Sequence, residues 1–238
     1  MKNNLIRKIM CVLAVVNLVV MAVLMSFLPE KMPMHYDLNG VVDRWGSKYE
    51  NFIFPIIIIV MGIFWIAFSM YFERKATRST EDKEIKSLLA NAKVLDIVGL
   101  CETIFFIFTE AFGLYKAISL INMDATTMSV DSIKIEVIGM GVLLIVLANF
   151  MTKAKMNKYV GIRTSWSMYN DRTWNKSNRF GAYVLMLVGL LTIITAVFIK
   201  QAIASIFVML AYIIIGTIII VIYSKKVYDE ERRKDNNL

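Results

Sequence analysis

The chain has 238 residues, 58% of them hydrophobic and only three of them proline, with 27 Lys and Arg against 19 Asp and Glu for a formal net charge of +8. So much apolar sequence, gathered into long runs, excludes an ordinary soluble domain. The basic excess sorts by side of a membrane, so it reads as topology and attraction to anionic lipid, with no direct nucleic-acid binding.

Apolar runs occupy 9–28, 52–72, 95–120, 137–151, 182–199 and 203–223. A helix rising 1.5 Å per residue crosses ~30 Å of hydrocarbon in ~20 residues, and backbone inside lipid must satisfy its own hydrogen bonds. Each run is therefore expected as a transmembrane helix. The expected fold class is all-α: a polytopic integral membrane protein with six transmembrane helices and a small structured extracellular loop. The first run is too long for a signal-peptide core, and residues 25–29 contain no small-residue cleavage site, so it reads as an uncleaved signal anchor. Cys11 and Cys101 lie within or beside spans and read as packing residues.

After the first run, Pro29 and Pro33 stop the helix and enforce extended backbone. Asn39-Gly40, flanked by Met34-His35-Tyr36 and Val41-Val42, predicts a short hairpin, with a second turn at Gly46-Ser47. His35 is the sole histidine and reads first as a hydrogen-bonded structural residue, with a ligand role as the alternative. Asp37, Asn39 and Asp43 have a superficial likeness to a calcium loop, but Gly40 comes too early and no Glu stands at the twelfth position. Asp43 and Arg44 read as a local ion pair. No second histidine completes a zinc site, so neither a metal nor a cofactor is expected.

Segment 73–93 mixes Glu81, Asp82, Lys83, Glu84 and Lys86, as suits a solvated helical surface. The third run carries Asp96, Glu102, Glu110 and Lys116. Asp96 is expected at the cytoplasmic edge and Lys116 to snorkel outward. Glu102 and Glu110 lie deeper, where a charge costs at least ~2.5 kcal/mol. Asp96, Thr103 and Glu110 recur at seven-residue spacing and so share a face, expected to point toward Asn17 of the first run or Asn149 of the fourth. Buried interhelical hydrogen bonding explains such a face, as does a proton path or a binding groove.

Between the fourth and fifth runs, Gly161 permits a turn, and Thr164, Ser165 and Ser167 are N-cap candidates for a short helix through Trp166, Tyr169 and Trp174. With Arg163, Arg172, Lys176 and Arg179 these aromatics suit either the headgroup layer or a docking surface. Most basic residues lie before residue 9, in 73–94, in 152–181 or after 223, while the alternate segments hold only Lys31, Arg44, Lys48, Lys134 and Lys200. The positive-inside rule then puts both termini in the cytoplasm.

Leu28-Pro29, Pro33, His35, Gly40, Asp43 and Gly46-Ser47-Lys48 resemble the signature of the DUF1648 domain. Gly161-Ile162-Arg163-Thr164, Trp166, Trp174 and Arg179 resemble the C-terminal signature of the SdpI family, immunity proteins against sporulation-delaying-protein toxin. The resemblance spans nearly the whole chain. It departs at Ser165, where the family usually has Pro, and at Asn178, where it commonly has His. It implies a DUF1648-like unit at 1–72, a cytoplasmic charged loop at 73–93 and an SdpI-like four-helix unit at 94–238 with a cytoplasmic loop at 152–180. It also implies a bacterial plasma-membrane protein that confers resistance to a secreted toxin peptide and recruits a cytosolic transcriptional repressor.

On that reading His35, Asp37, Gly40, Asp43, Arg44, Lys48, Glu102 and Glu110 are the candidates for toxin binding. Gly161, Arg163, Thr164, Trp166, Trp174 and Arg179 are those for the cytoplasmic partner. The alternative is a small ion- or proton-coupled transporter using Glu102 and Glu110, although no paired broken helices or inverted repeat is visible. An intramembrane enzyme is not expected, because HExxH, GxSxG and paired catalytic carboxylates are all missing.

Overall fold

The computed structural model describes residues 3–37, 40–123, 130–157, 159–199 and 201–236. Asn39 of the expected turn, Lys200 and residues 124–129 lie outside them. In chain order the elements are α1 (Asn3–Leu24), β1 (Lys31–Tyr36), β2 (Val42–Ser47), a 3-10 helix (Lys48–Phe52), α2 (Ile53–Ala76), α3 (Asp82–Asn122), α4 (Val130–Met151), α5 (Asp171–Phe198) and α6 (Ala202–Asn236). Six helices are long and apolar enough to cross a membrane.

The surface is inverted relative to a soluble protein. Val12, Val16, Val19 and Val23 of α1, Val60 and Ile63 of α2, and Ile214, Ile215, Ile218 and Ile222 of α6 all face outward, while Ser69, Asp96, Thr103, Glu110 and Thr192 are buried. Apolar exposure on this scale is what lipid accepts and water does not. The chain is a multi-pass membrane protein of six spans.

At 41 residues, α3 is about 60 Å long, twice the thickness of the hydrocarbon. Its first three turns are the charged 82–93 segment, which is helical as expected and continuous with the span. In the same way α6 carries its helix past the apolar run into Arg233 and Lys234.

Two groups of helices result. Helix α3 packs against α1 and α2, and α5 lies between α4 and α6; contacts between α3 and α4 join the groups. A Cβ on Gly141 would lie 2.8 Å from the Gly189 carbonyl oxygen, and one on Gly189 2.6 Å from that of Gly141, so both glycines are needed for α4 and α5 to cross so closely. Phe180 stacks on Tyr223 at 3.8 Å between α5 and α6.

The expected hairpin is present. β1 and β2 pair antiparallel, with Lys31 opposite Ser47, Pro33 opposite Trp45 and His35 opposite Arg44. Gly40 takes a φ of 78°, which supplies the left-handed turn position. Gly46-Ser47 differs from expectation: both residues belong to β2, and Ser47 caps the 3-10 helix through a capping box with Glu50. Met32 is fully buried against Met21, Met25, Leu28, Leu114 and Ala117, which seats the hairpin on the ends of α1 and α3.

Candidate functional site

The hairpin end is a compact ionic cap. Asp37 closes the turn, its carboxylate accepting from Val41 N at 2.8 Å. Asp43 pairs across the strands with His35, Oδ1 to Nδ1 at 2.6 Å. Arg44 Nη1 donates to Glu50 Oε2 at 2.8 Å. The expected Asp43–Arg44 pair is therefore replaced by two others, because adjacent strand residues point to opposite faces. Lys48 is buried; its ammonium lies 2.9 Å from Glu30 Oε1 and donates to the Leu28 carbonyl at 3.3 Å. It holds the hairpin's base, whereas His35, Asp43 and Arg44 remain exposed.

Below the cap, α3 carries a series of polar contacts along its length, to α1, α2 and α4. Lys116 pairs with Glu136 of α4 at 2.5 Å and is 8% exposed, so it does not snorkel outward. Asn17 Nδ2 donates to Glu110 Oε2 at 2.6 Å, while the other carboxyl oxygen of Glu110 is buried without a partner among the described residues. Asn149, the alternative to Asn17, faces outward. Trp65 Nε1 donates to Glu102 Oε2 at 2.9 Å. Asp96, Thr103 and Glu110 are all buried, as their spacing predicts.

Asp96 lies level with Arg7 and Glu73, which flank the first two apolar runs, so it stands at the end of its span but not at the surface. It is completely buried and accepts from Arg7 Nε at 2.9 Å. Arg7 also donates to Glu73 at 2.8 Å and to Ser69 Oγ at 2.7 Å, and Ser69 Oγ donates to the Ala92 carbonyl. A guanidinium with several N–H donors can satisfy three acceptors on two helices at once. Sequence reasoning counted Arg7 only toward topology. Its neglected signal is spacing: Arg7, Met10, Ala14, Asn17 and Met21 recur at three and four residues, the stripe that α1 buries.

The opposite, basic end is built around the 152–170 loop. Gly161 adopts a φ of 100°, and the turn aims Ile162 N at Asn178 Oδ1, 2.8 Å away. Asn178 Nδ2 donates to the Trp174 carbonyl. Trp174, expected on a docking face, is instead 1% exposed, and its indole N–H reaches the Ala154 carbonyl at 2.9 Å. Gly161 and Trp174 thus shape the loop from within.

Thr164 and Ser167 exchange backbone-to-side-chain hydrogen bonds, but these close a turn and cap no helix. The cap of α5 is Asn170, paired reciprocally with Thr173. Arg163 and Arg179 face solvent, and Trp166 is half-buried beneath the ammonium of Lys225. Tyr169 donates to Asp235 at 2.8 Å, an acceptor that holds the phenol above its usual range. Glu231 of α6 gathers Arg172, Lys176 and Lys234. Of the six candidates at this end, Arg163, Thr164, Trp166 and Arg179 have surface to offer.

Residues 153–224 match the SdpI/YfhL protein family, and residues 12–59 match a domain of unknown function, DUF1648. Immunity protein SdpI of Bacillus subtilis (strain 168) is 24% identical over 228 residues, covering 95% of this chain and 98% of that one. No solved structure matches the chain.

Proposed function

We propose that this chain, whose residues 153–224 match the SdpI/YfhL protein family, is an immunity protein of the bacterial plasma membrane that protects against a secreted toxin peptide. The hairpin faces outward and both termini lie in the cytoplasm, as the distribution of Lys and Arg favours. Toxin engages the exposed His35–Asp43 and Arg44–Glu50 pairs and the adjoining bundle. Arg163, Thr164, Trp166 and Arg179 offer a surface to a cytosolic repressor.

The observation that carries this reading is the run of polar contacts along α3, from Lys116 through Glu110 and Glu102 to Asp96. It spans from beneath the hairpin to the basic end on one continuous helix. A toxin that prefers one arrangement of these contacts shifts the bundle toward it; equal affinity for two arrangements shifts nothing. Likeness to an immunity protein over nearly the full length of both chains supports the same assignment.

Expression in a toxin-sensitive bacterium, followed by survivor counts, tests it. Wild-type protein raises survival and His35→Ala lowers it at equal membrane abundance. Arg163→Ala leaves survival unchanged and weakens retention of the repressor at the membrane. Unchanged killing with wild-type protein present in the membrane refutes the immunity assignment. The unpartnered buried oxygen of Glu110 favours proton- or ion-coupled transport as a second reading. Its test is a pH or ion gradient in proteoliposomes, dissipated by wild type but not by Glu110→Gln.

A further inference from the structure

A second site lies at the basic end beside the 152–170 loop, whose Tyr159 hydroxyl is 3.2 Å from that of Tyr71. The end of α2, the 77–81 connector and the first turn of α3 enclose an open cavity of about 530 Å³ lined by Tyr71, Arg74, Lys75, Arg78, Ser79 and Glu84. Three cations face one carboxylate. Glu84 is already engaged, accepting from Ser79 Oγ at 2.6 Å and lying 3.7 Å from the Lys75 ammonium. Among the described residues, the guanidinium groups of Arg74 and Arg78 have no ion-pair partner.

The site sits where α2 leaves its apolar run. Directly along the helix from Tyr71, at three- and four-residue intervals, Ala67, Phe64, Val60 and Ile57 are exposed to lipid. Tyr71 is itself 46% exposed, an aromatic at the junction of apolar track and cationic cavity. Water-soluble phosphates would use the cavity alone. A phospholipid would use both, laying acyl chains along the track and its phosphodiester between two planar guanidinium forks.

We infer that Arg74, Arg78 and Lys75 form a binding site for the headgroup of an anionic phospholipid, with the outer face of α2 as the bed for its acyl chains. The site adjoins Glu73, through which Arg7 braces the end of α2 against Asp96 of α3. This assignment is independent of whichever toxin or repressor the protein meets.

The test uses the full chain in phosphatidylcholine nanodiscs containing a small fraction of phosphatidylglycerol, with bound lipid read by native mass spectrometry. Wild type retains phosphatidylglycerol. Arg74→Gln and Arg78→Gln each weaken retention about fivefold, and the double variant about 25-fold, as expected for one basic residue apiece near the headgroups. Both side chains are exposed, and either single variant serves if the double variant is poorly produced. Lys225→Gln/Lys226→Gln, at the end of α6, leaves retention unchanged. An equal loss in that control would show diffuse surface charge and overturn the site. Displacement of the lipid by inorganic pyrophosphate would overturn its assignment to lipid, and unchanged retention in every arginine variant would overturn it altogether.

Discussion

Between α1, α2 and α3 the decisive contacts are polar or charged: Arg7 with Asp96 and Glu73, Trp65 with Glu102, Asn17 with Glu110. Between α4, α5 and α6, short of the ion pairs that Glu231 makes with Arg172 and Lys176 past the apolar run, they are close backbone approach at Gly141 and Gly189 and ring stacking of Phe180 on Tyr223. Lipid explains why both work. Apolar side chains gain nothing by leaving acyl chains for one another, so spans associate through small-residue packing or through hydrogen bonds. The two solutions differ in what they permit. Glycine contacts leave one tight geometry, whereas hydrogen-bonded side chains can exchange partners. The contrast predicts rigidity in the second group of helices and the capacity to respond in the first.

The sharpest way to break this contrast is Arg7→Met. It leaves Asp96 buried and without its cation, and should cost about 3–5 kcal/mol, read as a lowered unfolding midpoint in detergent. Arg7→Met/Asp96→Leu should recover most of that loss, because both charges leave together. Equal destabilisation by the single and double variants would mean that the pair is incidental. Next is Gly189→Leu, which pushes a side chain into the Gly141 carbonyl and should cost about 2 kcal/mol or more, with no second-site charge change able to repair it. Smallest is Glu110→Gln, at about 0.6 kcal/mol in stability, since a neutral amide still meets Asn17. Its effect on protection should exceed that modest loss, and equal survival of variant and wild-type cells would remove Glu110 from the response.

The spans were legible because length and apolarity alone specify them in lipid. The hairpin was legible from Pro33 and Gly40, whose backbone restrictions are local. The buried face of α3 was legible because a seven-residue spacing of Asp96, Thr103 and Glu110 needs no partner to be noticed. Partner identity was not. That Asp43 meets His35 and not Arg44 depends on strand register, and that Arg7 meets Asp96 depends on how α1 crosses α3; no local pattern encodes either. Trp174 misled for a different reason. Aromatic residues beside basic ones suit both an interfacial belt and a buried strut, and only the Ala154 carbonyl at its indole N–H distinguishes them.

The assignment of outer and inner faces underlies both proposed binding surfaces, and thiol labelling tests it directly. In a background with Cys11 and Cys101 replaced by alanine, a membrane-impermeant maleimide should modify His35→Cys in intact cells, and Arg163→Cys only after permeabilisation. The reverse pattern would contradict the account, since the hairpin would then face the cytoplasm and could not meet a toxin arriving from outside.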